Sequence, residues 1–178
     1  MTYYGGRELA DAFRGVRKHT IQIAEDIPES KYDFRAAPDC RTIAQTLVHV
    51  ALSPGFQYHI QSNNIDNMQK VNFSELSQKF GAEEARPRTK SDIVAMLTDE
   101  GEKFASFLDT LSESFLAERV TMPPGSDPST KSRFEMILST KEHEMHHRGQ
   151  LMVLQRMIGI VPHLTRQHQT AHAQPAQR

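Results

Sequence analysis

Leu9, Phe13, Val16, Thr20, Ile23 and Ile27 follow one another at intervals of four, three, four, three and four, and Pro28 closes the run. That spacing lines up one face of an α-helix, because three or four residues make one turn. Such a stripe has to be buried against other helices or a sheet. No stretch of this chain shows the period-two alternation of a strand, so the partners must be helices. Three further segments supply them. Thr42-Ile43-Ala44-Gln45 is a capping box that opens a second helix. Ile43, Leu47, Val50 and Pro54 form one of its stripes, and Thr46, His49, Ser53, Phe56 and Ile60 a neighbouring one. Pro54 inside this pattern kinks or divides the helix, because it lacks the N–H that the ladder needs. A third helix opens at Thr89 or Ser91 and presents Ile93, Leu97, Phe104, Phe107, Leu108 and Leu111. A fourth opens at the capping box Ser132-Arg133-Phe134-Glu135 and runs to Ile158, with Gly159 as its stop and Pro162 beyond.

Four amphipathic helices of this length specify an all-α four-helix bundle. Residues 1–162 form its single domain, and residues 163–178, "HLTRQHQTAHAQPAQR", read as a polar, mobile C-terminal tail. The stretch from Gln61 to Arg88 contains Asn-Asn, Gly81 and Pro87 and has few periodic apolar residues. It is long enough for a crossover connection, with a short helix around Phe73 to Phe80. "TMPPGSDPST" reads as a plain loop.

The bulk properties exclude several functional classes. A net charge of -1 over 178 residues, with no basic recognition helix, gives nucleic acid no footprint. No apolar run reaches the roughly 18 residues of a membrane span. "MTYYGGRELADAF" lacks the basic and apolar regions of a signal peptide, and a lone cysteine, Cys40, suits a reducing compartment, so the expected location is the cytoplasm. Cys40 permits no intrachain disulfide and no cysteine-rich zinc site.

The chemistry is concentrated in "KEHEMHHRGQL", Lys141 to Leu151. His143-Glu144-Met145-His146-His147 has the H-E-x-x-H form of zinc proteases, which use two histidine ligands and a glutamate base. The protease reading fails on the third ligand. One protease class requires Gly and His where this chain has Gln150 and Val153. Another requires a downstream glutamate, and Glu144 is the last acidic residue of the chain. His143 and His147 nevertheless lie one turn apart on the face that continues through Leu151 and Leu154 to Ile158. Two imidazoles on an inward face need partners, and a metal ion satisfies both lone pairs. The third ligand must then come from another helix. His49 sits mid-helix among Leu47, Val48, Val50 and Ala51. His59 faces another way, His19 lies off its helix stripe, and the remaining histidines are in the tail, so His49 completes the set.

"RTIAQTLVHVA" followed by "EHEMHHRGQLMVLQRMIGIVP", with the lead-in "IPESKYDFRAAPDCRT", resembles the DinB/YfiT-like family of metalloenzymes across nearly the whole chain except the tail. The resemblance implies a bundle of up-down-down-up topology and a homodimer. It also implies a divalent metal on three histidines, which match His49, His143 and His147; His146 matches a non-ligand. Zinc and nickel are the expected ions. Members of the family include thiol-dependent S-transferases and a thiol-dependent isomerase. The resemblance therefore points to metal-assisted transfer, isomerisation or hydrolysis of a small molecule, with a low-molecular-weight thiol as nucleophile. The rival expectation is a stress-related dimeric bundle that binds metal or ligand without turnover.

The remaining residues of the motif read more plainly. Glu144 lies about 100° from His143 around the helix, which suits a solvated or ligand-supporting group better than a general base. Gly149 is costly inside a helix and offers another helix, such as a dimer partner's, a close approach. Gln150 could orient a bound water or cap a polar pocket. Met136, Met145, Met152 and Met157 read as core or interface filler.

Overall fold

A computed structural model of the chain describes residues 4–173. The expected helices are present. Helix α1 (Gly6–Asp26) is followed by α2 (Ile43–Leu52) and α3 (Pro54–Ser62), then α4 (Phe73–Glu84), α5 (Lys90–Asp109), the short α6 (Glu113–Ala117), α7 (Arg133–Met157) and α8 (His163–Ala173). All six residues of the opening stripe on α1 are buried. The capping boxes at Thr42 and Ser132 form with both reciprocal bonds, and a third forms between Thr89 and Asp92. Pro54 divides the second bundle helix into α2 and α3. Gly159, at φ 84°, ends α7 in a left-handed cap; its N–H bonds Arg156 O, and Ile160 N–H bonds Gln155 O.

Polar contacts fix the direction of each helix. At the start of α1, Gly6 lies against the carbonyls of Leu108 and Leu111, while Lys90 Nζ bonds the carbonyls of Glu25 and Ile27, so α1 and α5 are antiparallel. Tyr4 packs on Phe134 near the starts of α1 and α7, and Arg17 pairs with Glu144 farther along both, so α1 and α7 run the same way. Arg133, at the start of α7, bonds Gln61 at the end of α3, which sets α2–α3 antiparallel to α7. In chain order the bundle helices α1, α2–α3, α5 and α7 therefore run up, down, down and up. Helix α1 touches both α5 and α7 and lies diagonally opposite α2.

The apolar core has two main layers. One gathers Ile23, Ile27, Ile43, Leu47, Leu97 and Leu151. The other gathers Leu9, Phe13, Phe104, Leu108 and Ile137. Each fully buried aliphatic or aromatic side chain contributes about 1.5–3 kcal/mol. Between the layers lies a buried charge pair. Arg17 is 3% exposed and Glu144 0%. Arg17 Nε and Nη2 donate to the Glu144 carboxylate at 2.9–3.1 Å, Nη1 donates to Leu97 O at 2.7 Å, and Nη2 donates to Val50 O at 3.0 Å. One guanidinium thus joins α1, α2, α5 and α7. Pro54 explains the bond to α2: it has no N–H for the carbonyl four residues back, so Val50 O accepts from Arg17 and from Ser53 Oγ instead. Gly101 makes the room, since a Cβ there would lie 2.8 Å from Arg17 Cγ.

Three expectations are corrected. The "TMPPGSDPST" segment is not wholly loop: β1 (Arg119–Thr121) and β2 (Thr130–Ser132) pair antiparallel at its ends. The short helix in the long connection extends to Glu84. The segment from His163 is helical as far as Ala173, and residues 174–178 lie outside the described residues. Helix α8 docks on α1 through polar pairs, His163 on His19 and Arg166 on Asp26. No apolar stripe announced it.

Candidate metal centre

The three predicted histidines meet. His49, half-buried on α2, and His143 and His147 on α7 bring their imidazoles together. His143 Nε2 lies 3.2 Å from His49 Nε2 and 3.2 Å from His147 Nε2. The spacing of one turn puts His143 and His147 on the same face of α7, and the antiparallel approach of α2 brings His49 to that face. His19 and His59 are elsewhere. His19 Nδ1 is 3.0 Å from His163 Nε2, and His59 is exposed on α3 beside Asn63.

Two of the three rings are held at Nδ1. An ionised carboxylate can only accept, so His49 Nδ1 donates to Glu84 Oε1, at 2.5 Å. Arg41 Nε in turn pairs with Glu84 Oε2 at 3.3 Å. His147 Nδ1 donates to Gln150 Oε1 at 2.8 Å, and Gln150 Nε2 reaches His146 Nε2 at 3.1 Å. With Nδ1 carrying the proton, Nε2 of His49 and of His147 presents its lone pair to the cluster. Burial, with His147 and His49 beside it, pushes the His143 pKa down to about 4. Burial also lowers that of His147, opposed by its bond to Gln150. Imidazole nitrogens that turn lone pairs toward one another repel unless a proton or a cation lies between them. Bonds of 2.0–2.1 Å in tetrahedral geometry set ligand nitrogens about 3.3 Å apart, which the observed 3.2 Å matches. The donor set fits a divalent ion.

A cleft of about 650 Å³ opens beside His49 and His143, between α2–α3 and α7 on one side and α4 on the other. Its wall is apolar at Leu52, Phe56, Phe73, Leu76 and Phe80, with Arg41 at the rim.

Glu144 needs correction as well. It is not solvated: it is fully buried and saturated by Arg17. A carboxylate locked this way cannot serve as general base at the histidine cluster. The sequence reading missed Glu84, which lies in the connection without periodic apolar residues, and Arg17, whose place beside an apolar stripe gave no sign of burial. Gln150, expected to orient a bound water or cap a polar pocket, holds His147.

The fold recurs in known proteins. The Bacillus subtilis protein YjoA is 24% identical over 152 residues, covering 85% of this chain and 90% of YjoA. Its crystal structure superposes with a TM-score of 0.62 at 21% identity, covering 85% of this chain and 92% of that one. YfiT from Bacillus subtilis, described as a probable metal-dependent hydrolase with an unusual four-helix bundle topology, gives 0.67 at 15% identity over 90% of this chain and 91% of its own. A Clostridium difficile protein gives 0.65 at 15% identity, over 89% and 99%. With residues 12–151 matching the family model, the chain belongs to the DinB superfamily.

Proposed function

We propose that the protein is a metalloenzyme in which His49, His143 and His147 hold one divalent ion, zinc or nickel, and a small molecule reacts in the adjoining cleft. The observation that carries this reading is the convergence of three imidazole Nε2 atoms beside an open cleft. The description of YfiT as a probable metal-dependent hydrolase supports it. On three uncharged ligands such an ion keeps its full positive charge and lowers the pKa of a coordinated water or thiol. The chain's own residues do the rest. Glu84 and Gln150 fix the ring orientations of His49 and His147, and the apolar wall lines the space beside them. Hydrolysis by water and transfer to a low-molecular-weight thiol share this chemistry.

Metal analysis of the purified protein tests the reading. One divalent ion per chain is expected, lost in His143→Ala and His49→Ala with the fold intact. Protein that binds no zinc or nickel in direct titration overturns it. Turnover of an activated ester with and without added thiol then separates hydrolysis from transfer. Among the described residues no helix is long and apolar enough to cross a membrane; a cytoplasmic location is part of the same proposal.

A homodimer belongs to the same reading. Met145, Val153 and Met157 are exposed on α7, at 43%, 56% and 53%. A Cβ at Gly149, between them, would meet nothing within 4 Å. Glu142, Met145, Gly149, Val153 and Arg156 share this face, spaced three, four, four and three, a pattern symmetric about Gly149. Two copies crossing antiparallel at Gly149 set Glu142 of each opposite Arg156 of the other and cover the apolar stripe of both, a self-complementary two-fold contact.

A further inference from the structure

The apolar stripe of α4 has no protein core to face. Phe73, Leu76 and Phe80 are spaced three and four residues apart on one side of the helix, the arrangement that elsewhere in this chain is buried. Yet no residue of α4 is buried, and Phe73 is 43% exposed. These three side chains instead line the cleft, opposite Leu52 and Phe56. Phe73 stacks at its edge on Phe56, with centroids 6.0 Å apart and planes at 30°. Polar contacts secure the far end of α4, where Glu84 bonds His49 and Arg41. Helix α4 is therefore an amphipathic helix whose apolar side faces an open volume of about 650 Å³, within the size range of small-molecule sites. His49 and His143 form part of the lining of the same volume.

We propose that this cleft selects substrates carrying an apolar acyl or aryl arm, seated between Leu52 and Phe56 on one wall and Phe73, Leu76 and Phe80 on the other, with the reacting polar group directed at the histidine cluster. The seat for the arm is a property of the walls; only the placing of the reacting group rests on the metal-centre reading. An arm entering the cleft removes from water the apolar surface that α4 leaves exposed, and that gain distinguishes it from a wholly polar substrate.

Isothermal titration of the zinc-loaded protein with acetohydroxamate, hexanohydroxamate and benzohydroxamate varies the arm on a constant chelating head. The two larger probes are expected to bind roughly tenfold or more tightly than acetohydroxamate, since each buried methylene is worth a factor of roughly four. Phe80→Ser and Leu76→Ser, neither at a buried position, are expected to abolish this preference, bringing the larger probes down to the affinity of acetohydroxamate. Equal affinity for all three probes, or a preference that survives both substitutions, overturns the proposal. Displacement of anilinonaphthalene sulfonate by hexanoate from metal-free protein reads the arm without any ion. Displacement that Phe80→Ser eliminates supports the seat even if the chain binds no metal; no displacement from the unsubstituted protein overturns it. A chain that binds hexanoate but no divalent ion therefore loses the metal-centre reading and keeps this one.

Discussion

Arg17 and Glu144 meet between the two apolar layers of the bundle, joined by three hydrogen bonds of 2.9–3.1 Å and closed off from solvent. The glutamate of an H-E-x-x-H sequence is here a structural counter-ion. It faces away from the chemistry it performs in zinc proteases, because it lies about 100° around α7 from His143, on the side where α1 packs.

Removing one partner leaves the other charge buried without compensation. Glu144→Gln and Arg17→Met are each expected to destabilise the fold by about 3–5 kcal/mol, and the double variant Arg17→Met/Glu144→Leu to recover much of that loss. Urea denaturation of all three measures it. If Glu144→Gln has unchanged stability, the pair does not organise the core as described.

Glu84 bonds Nδ1 of His49 and so fixes which nitrogen is free to bind a metal. Glu84→Gln keeps the size but weakens the acceptor. It is expected to lower metal affinity by about 10–100-fold, the usual cost of losing a partner that orients a ligand. Gln150→Leu acts on His147 in the same sense. Competition titration against a chromogenic chelator measures both, and affinities within twofold of the unsubstituted protein would refute the orienting role.

The bundle and the His143–His147 pair were legible in the sequence because each rests on periodicity, whereas His49 follows from elimination among the remaining histidines. The α1 stripe at Leu9, Phe13, Val16, Thr20, Ile23 and Ile27 is buried at every position. The turn between His143 and His147 needs only helix geometry. What remained illegible depends on contacts between distant segments. Arg17 is buried because Gly101 leaves it room and Pro54 frees a carbonyl for it, a coincidence of three helices that no local pattern encodes. Glu84 ends a helix with no buried residue, so no stripe marked it. Helix α8 is attached by His163 and Arg166, residues that by composition signal a solvated tail.

The histidine pKa values set a pH dependence. In metal-free protein burial holds His143 at about 4 against an ordinary value of 6.5, and burial also lowers His147, His19 and His163. The charged groups acting on the His19–His163 pair are Lys18, Arg148 and Arg166, which lower, and Asp26, which raises. A base whose folded pKa is depressed leaves the unfolded chain binding more protons between the two values. The stability contribution is therefore complete above pH 6.5 and is lost as pH falls toward about 4. Thermal denaturation in the presence of a chelator should show Tm falling through that window. His143→Gln should flatten the slope, though not abolish it, because the other three histidines remain. A Tm independent of pH between 6.5 and 4 would contradict the burial of these rings.

The proposed dimer contact makes a prediction specific to its register. If α7 pairs antiparallel about Gly149, Glu142 of one copy meets Arg156 of the other twice across the two-fold axis. Glu142→Arg places like charges there and is expected to weaken association by several-fold. Arg156→Glu does the same, although Arg156 also bonds Thr165 on α8 and its loss carries a second, local effect. Combining the two reverses both charges and should restore the dimer, which neither substitution alone allows. Met145→Glu/Val153→Glu, at exposed positions, should give a folded monomer. Sedimentation velocity over a concentration series reads all four variants. Restoration by the charge swap is the decisive outcome, because a contact elsewhere on the surface would leave the double variant no better than either single one.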